Sequence, residues 1–458
     1  MNVGGGDSEI LADRTRTGAD DAALWRRFRG ACGDDAKVGV LQRLKLSGPI
    51  PEAFSHHLNR LVPTDDRRGE ALMQDIWRIG MERLTLAPGQ PPWSTPLPSK
   101  HFADRLHRFS WLPDLFDQGD RGAERAIRFV DDWIETHGGF NGFTWRLAPT
   151  SVRCWNWMIC GPDLFETGSE EARQIRLECL VRQIRYLSDQ VDAATDPKAR
   201  WYGAVTIVAG ALCIDRAMSL DTALARLDAE CTAQILPDGG HVSRSPSRNL
   251  RALVHLLTLQ DLFRQAGHPE PDFFEKWIPR MGAMVAFFQA GDGALNPFND
   301  GDEARPEVVE AALSLLPAPP RRFTFAPKSG FQKLEKNGEA PERPFSDFAH
   351  AGALGFELSD GPCRLVTSCG YSAEVNVDWQ AAVRRTGAHS TLILAGRDSS
   401  TFSLNEESRL LSAQGPEGIS AKRLEEADEI WLDAQHGGYK APCGLLHRRR
   451  LFISGDGQ

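Results

Sequence analysis

The chain has 458 residues, more than one hydrophobic core organises, so two domains are the natural expectation. Hydrophobic residues make up 41% and charged residues 25%, an ordinary globular composition, and the formal net charge of −9 argues against nucleic acid, which is bound by clustered cations. No run of about 18 apolar residues occurs, so no membrane-spanning helix is expected.

Residues 1–23 form a polar, acidic tail without the apolar stretch of a secretory signal. The expectation is a cytoplasmic protein, or one of the periplasm or cell envelope if the true start is missing. Residues 24–300 read as helix after helix. RAIRFVDDWIETH places Ile127, Val130, Trp133 and Ile134 on one stripe at spacings of three and four. The same periodicity recurs around Val152, Ile175, Tyr202, Ala223, Asn249 and Trp277. Short gaps rich in Gly, Pro or Asp separate these segments, and Thr150 is a candidate cap after the THGGFNGFTWRLA loop. Antiparallel helical hairpins in a ring or in a solenoid both satisfy this pattern.

The texture changes near Pro306, and residues 301–324, with PAPPRR at 317–322, read as a linker centred near residue 315. Residues 325–458 carry short apolar runs broken by turn signals: a hairpin around Ser359-Asp360-Gly361, then STLILAG, TFSLN, EIWLDAQHGGY and GLLHRRRLFIS as strands. The chain ends directly after a strand, so the second domain is expected to be cut short. The nine cysteines are scattered, odd in number and free of CxxC pairs, which points to neither a disulfide framework nor a zinc knuckle. Twelve tryptophans stand beside four tyrosines, and their first claim is as core filler rather than sugar platforms.

The densest polar cluster runs from Pro237 to Asn249 between two helices. Arg244 and Arg248 suit a carboxylate or sulfate, and His241 suits proton transfer near neutral pH. The plain alternative is a solvated turn in which Ser247 or Asn249 caps the next helix. Trp145, Arg153 and Asn156 form a second polar group, either lining a groove or closing a contact between helices. In the β-rich part His350 and His389 stand at strand starts, where imidazoles bind a metal or substrate or sit half-buried with no such role.

QILPDGGHVSRSPS, APTSVRCWNW and HFADRLHRFSWLPDL, with PKSGFQKLE, HAGALGFELSDG, RRTGAHSTL and HGGY further on, resemble the heparinase II/III family of polysaccharide lyases. The resemblance covers nearly everything from about residue 65. It implies an incomplete (α/α) toroid followed by an antiparallel β-sandwich, with a site in the cleft between them. It also implies β-elimination on an acidic, uronate-containing polysaccharide. His350 matches the family's cleft histidine, and His389 the histidine associated with a divalent metal, zinc or calcium. Arg153 and Asn156 match a helix face of the pattern, while Arg244 and Asn249 belong to the substrate-binding loop. There are departures. Arg248 stands where the family carries a tyrosine, Asn249 where it carries a histidine, Ser368 in place of a metal-binding aspartate, and Gly203-Ala204-Val205 in place of a Gly-Asn-His motif. Arginine stays protonated and cannot replace tyrosine in proton transfer. The expectations are therefore an active carbon–oxygen lyase with rearranged residues, a glycan-binding or envelope-assembly protein without elimination, or hydrolysis involving Asp238.

Overall fold

The computed structural model describes residues 46–214, 218–299, 304–332, 350–371, 377–404, 411–426 and 429–454. The tail expected over residues 1–23 lies outside the described residues. Two compact units result, one comprising residues 64–220 with those up to Leu58, the other residues 59–63 and 221–458. The interval expected to be a linker, residues 301–324, holds a helix at Pro306–Ser314, most strands follow it, and the division into units falls at Leu220.

The first unit contains helices α1 (Asp66–Met73), α2 (Lys100–Leu106), α3 (Leu112–Phe116), α4 (Gly119–His137), α5 (Leu147–Ile159), α6 (Gly161–Phe165), α7 (Glu170–Gln190) and α8 (Pro197–Cys213). Starts are capped where the sequence supplies an oxygen: Asp65 accepts from Arg68 N–H, Ser99 from Phe102 N–H and Ser169 from Ala172 N–H. Thr150 is not a cap. The helix already begins at Leu147, and the Thr150 hydroxyl donates instead to the Thr144 carbonyl at 3.3 Å. α4 buries Ala126, Phe129, Val130 and Trp133; of the expected stripe Val130 and Trp133 are buried, while Ile127 and Ile134 are only half-buried. Trp133 meets Phe109 and Trp157 edge-on at 5.6 Å, an arrangement favoured by the ring quadrupoles. α5 packs on α7 and α8, and α8 is buried almost all round. Gly203 and Gly210 make that possible, since a Cβ there would lie 2.7 Å from Val191 and 2.9 Å from Ile184.

One interval expected to be helical is not. Ile76–Ile79 (β1) and Glu82–Thr85 (β2) form an antiparallel hairpin around Gly80, whose φ is 62°. Trp77 on β1 is buried against Trp111 and Phe129, so this side of the hairpin covers the helices.

The second unit starts with α9 (Leu220–Gln234), α10 (Pro246–Gln265), α11 (Asp272–Phe288) and α12 (Pro306–Ser314), the last three packing on one another. Short antiparallel pairs follow: β3 (Phe325–Ala326) with β4 (Phe331–Gln332), β5 (Leu358–Asp360) with β6 (Cys363–Val366), and β7 (Thr401–Leu404) with β8 (Leu411–Gln414). α13 (Val377–Ala382) lies between the second and third pairs. β9 (Ser420–Glu426), β10 (Glu429–His436) and β11 (His447–Ile453) make a three-stranded sheet with β10 central, and α14 (Lys440–Cys443) precedes β11. Phe287, Phe288, Phe298, Phe323 and Phe331 join α11 to the β3–β4 turn through ring contacts. The β5–β6 pair is fastened to the end of α11, because Arg364 donates from both arms of its fork to Asp292 at 2.7 and 3.1 Å.

STLILAG is not a strand. Thr391 Oγ1 donates to the Ala353 carbonyl at 2.7 Å, Tyr439 Oη donates to the Leu392 carbonyl at 2.5 Å, and Ala395-Gly396 turns in the left-handed region. The segment's polar groups are engaged before a ladder can form. Among the described residues no helix is long and apolar enough to cross a membrane.

Candidate functional site

The Pro237–Asn249 loop is built by close backbone approaches. Leu236 N–H donates to Gly240 O at 2.8 Å and Val242 N–H to Gln234 O at 2.9 Å, closing a tight excursion between α9 and α10. A Cβ on Gly239, where φ is 92°, would lie 2.1 Å from the Arg280 carbonyl oxygen, and one on Gly240 would lie 2.0 Å from Ser329 Oγ. The paired glycines let the loop rest on α11 and on the β3–β4 turn. Asp238 fixes it there by accepting Lys328 N–H at 2.8 Å, Ser329 N–H at 2.7 Å and the Ser329 hydroxyl at 2.6 Å. Asp238 is thus a structural acceptor in this arrangement, not half of a hydrolytic carboxylate pair.

Arg244 adopts a φ of 55°, a region costly for a residue with a Cβ. Two long-range contacts hold it: its Nε donates to Ser329 O at 2.7 Å, and Asn299 Nδ2 donates to its carbonyl at 2.8 Å. His241 is buried, and its Nδ1 accepts Ser243 N–H at 3.1 Å and lies 2.8 Å from Ser243 Oγ. Ser245, rather than Ser247 or Asn249, caps α10 by accepting Arg248 N–H, with Pro246 as the first helical residue. Arg248 therefore sits half-buried in the first turn. Asn249 is fully buried and donates to the Met281 carbonyl of α11 at 3.3 Å, so its amide faces the helical core instead of the loop surface.

The side chains of His350 and His389, 39 residues apart, meet: His350 Nδ1 lies 3.2 Å from His389 Nε2. Ala351 N–H donates to Arg384 O at 2.8 Å, while Thr386 Oγ1 and Ser399 Oγ both donate to Ala351 O, at 2.8 and 2.9 Å. Gly352 leaves room for the His389 ring, since its Cβ would lie 3.0 Å from His389 Cγ. Burial holds both imidazoles neutral: it pushes His389 down to about 4 and His350 well below the ordinary value, the latter helped by His389 and Arg384. His350 Nε2 is buried without a hydrogen-bond partner. One neighbour was not picked out from sequence: the Tyr371 ring stands edge-on to His350 at 5.7 Å, with its hydroxyl donating to Gln380 Oε1 at 3.1 Å. Glu357 accepts Ser368 N–H at 2.8 Å. Tyr371 lies in no local pattern that marks it.

Trp145, Arg153 and Asn156 belong to the first unit and lie in its interior. Arg153 has no exposed surface; it donates to Gln183 Oε1, to the His107 and Thr144 carbonyls and to Thr150 Oγ1, at 2.6 to 3.2 Å. Its guanidinium packs 4.3 Å above the Trp133 ring. Asn156 donates to the Arg108 and Val152 carbonyls, and Trp145 Nε1 to the His137 carbonyl. These three groups close contacts within the unit, Trp145 and Arg153 buried and Asn156 half-buried.

A divalent metal does not fit the histidine pair. Among the described residues no three His, Cys, Asp or Glu side chains come together as a ligand set, and His389 Nε2 is turned to its histidine neighbour. Ser368 supplies no carboxylate, and the carboxyl of Glu357, raised by burial, is turned to the Ser368 amide.

A family model described as heparinase II/III-like, C-terminal, matches residues 318–458. A structure of heparinase III covers 96% of this chain and 76% of its own length with a TM-score of 0.61 at 14% identity. The heparan sulfate lyase HepC from Pedobacter heparinus covers 98% and 74% with a TM-score of 0.50 at 15% identity. The chain belongs to the heparinase II/III-like superfamily, with a large (α/α)-toroid-like helical region followed by smaller antiparallel sheets. More particularly, it is 33% identical over 425 residues, 90% of this chain and 73% of the other, to FtsZ-localized protein C of Caulobacter vibrioides (strain NA1000 / CB15N).

Proposed function

We propose that this chain acts on an acidic, uronate-containing polysaccharide as a carbon–oxygen lyase working by β-elimination. The observation that carries the reading is His350, a buried imidazole kept neutral by its surroundings and left with an unpartnered Nε2. In this reaction a base takes the C5 proton, the C4–O bond breaks, its electrons leave with the oxygen, and the C5–H pair becomes the C4=C5 double bond. A guanidinium on the uronate carboxylate makes that proton acidic, a role suited to Arg244 or Arg248. His350 Nε2 is our candidate base, in the tautomer whose Nδ1–H donates to His389 Nε2, and substrate binding would have to uncover it. Tyr371, beside it, is our candidate for returning a proton to the leaving oxygen, the task Arg248 cannot perform in place of a tyrosine.

A second reading, glycan binding without cleavage, is favoured by Arg248 and Ser368 standing where the family resemblance expects tyrosine and aspartate. The relative's name speaks of localisation with FtsZ, and we propose the same localisation for this chain. A fluorescent fusion spread evenly through cells would count against it.

Incubating the protein with alginate, hyaluronan and heparan sulfate, and following the ultraviolet absorbance of the new double bond, separates the readings. An absorbance rise that falls about 100-fold or more in His350→Ala and in Tyr371→Phe is expected. Binding with no rise on any substrate would replace the lyase by the binding protein. A rise untouched by either substitution would move the chemistry elsewhere.

A further inference from the structure

HRRRLF sets three arginines in a row on β11, and the alternation of side chains along a strand separates them. Arg448 and Arg450 turn to Asp433, while Arg449, opposite the buried Ala434, lies half-buried on the inner face. There a single nitrogen, Arg449 Nη1, donates to two carbonyls, that of Leu354 and that of Ser390, the latter at 2.6 Å. Its guanidinium also packs 5.1 Å from the centre of the Phe356 ring. Both acceptors belong to the segments that carry the histidine pair, Leu354 shortly after His350 and Ser390 directly after His389. Leu354 is the third residue of a β-turn closed by Gly355 N–H donating to Gly352 O at 2.8 Å. Its φ is 57°, where glycine is the favoured residue, so its surroundings must impose the conformation. The Arg449 bond to its carbonyl does so directly.

We infer that Arg449 is the positioning residue of the histidine pair: its guanidinium, rather than a metal ion, holds His350 against His389. Thr386, Thr391 and Ser390 lace the same two segments through neutral hydroxyl bonds to Ala351, Ala353 and Phe356. A guanidinium bond to a carbonyl is charge-assisted and stronger than these. Because one nitrogen serves both carbonyls, it fixes how far apart the segments lie as well as that they meet. Among the described residues no third metal ligand accompanies the two imidazoles, so this cross-link from β11 supplies the constraint that a bound ion would. Arg449 acts through the Gly352–Gly355 turn and through Ser390, not on the reacting atoms. Its bearing on turnover rests on the reading of His350 as the base, whereas its hold on the imidazole contact does not.

The test is proton NMR of the full-length protein carrying nitrogen-15-labelled histidine. It reads the ring N–H proton between His350 and His389 and, as a reference, the one between His436 and His447. Arg449→Met keeps much of the side chain's length but removes its donors, and is expected to abolish the first signal and leave the second. Arg449→Lys keeps a charged donor and is expected to retain both. Both signals present in Arg449→Met would overturn the inference. Loss of both would overturn it as well, since Arg449 would then be a general support of the sheet. A first signal that appeared only after EDTA treatment of the unsubstituted protein would assign the holding to a metal, with the same consequence. Where the polysaccharide assay shows turnover, kcat in Arg449→Met should fall about tenfold with KM nearly unchanged, because the base is displaced and the loop arginines are not. No turnover on any substrate would remove the lyase reading and leave the role of Arg449 to be decided by the two signals.

Discussion

Substituting Asp238 by asparagine keeps the side chain's volume but turns one acceptor oxygen into a donor, facing either the Lys328 and Ser329 N–H groups or the Ser329 hydroxyl. Leaving such a group unpaired costs about 1–3 kcal/mol, and the midpoint of urea unfolding should fall accordingly. Gly240→Ala acts on the same contact from the other side, because its Cβ would lie 2.0 Å from Ser329 Oγ and displace it. The two substitutions should therefore cost less together than the sum of their separate effects, whereas strict additivity would show that they act on different contacts. The sequence made the loop visible but not this role. Asp238 reads as a possible acid because its donors come from Lys328 and Ser329, about 90 residues on, in a turn with no chemical signature of its own. Arg153 misleads in the converse way. An arginine three residues from an asparagine looks like a binding pair, and only the buried Gln183 and carbonyl partners reveal a group holding helices together.

Helices announce themselves through a period that local sequence contains, so the existence of α4, α7, α8 and α10 is legible without a structure, while their starts and the buried side of α4 are not. Short strands depend on partners: the β1–β2 hairpin hides among helices, and STLILAG has the right composition yet finds its hydrogen bonds elsewhere. Pairing of β10 with β11 also sets His436 directly opposite His447, with His436 Nε2 2.9 Å from His447 Nδ1. His436 Nδ1 already accepts Gly438 N–H, so the proton between the rings belongs to His436 and both imidazoles are neutral in this arrangement. Burial, with His447 and Arg449 nearby, pushes His436 down to about 4. In the unfolded chain the same group titrates near its ordinary 6.5, so between those values the unfolded state holds more protons. The stabilising effect of keeping this imidazole neutral is complete above about pH 6.5 and is lost as the pH falls towards about 4, and His389 behaves alike. Each such group tilts stability by at most about 1.4 kcal/mol per pH unit within that window. Thermal unfolding should thus occur at clearly lower temperature at pH 5 than at pH 7.5, with His436→Gln flattening the dependence. A profile as steep in that variant as in the unsubstituted protein would show that this pair does not govern it.

Across the whole molecule, the change from helix to strand near residue 315 follows from composition, because Pro-rich coil and alternating apolar runs are local properties. The division into compact units at Leu220 is not local. It depends on which helices pack with which, and helices α10, α11 and α12 pack among themselves within the unit that also holds the strands. Charge shows the same contrast of scales. A chain at −9 repels an acidic polymer at long range, so any attraction comes from arginines gathered at particular places, such as Arg244 and Arg248 in the loop. Such attraction is short-ranged and screened. The Debye length is about 10 Å at 0.1 M salt and shrinks as salt rises, which weakens the contribution of exposed guanidinium groups first. Affinity for alginate should fall about tenfold between 0.05 and 0.5 M sodium chloride, and removing Arg248 should lessen that dependence along with the affinity. Binding that held constant over this range would mean stacking and hydrogen bonds dominate, and would shift the weight of recognition away from the arginines.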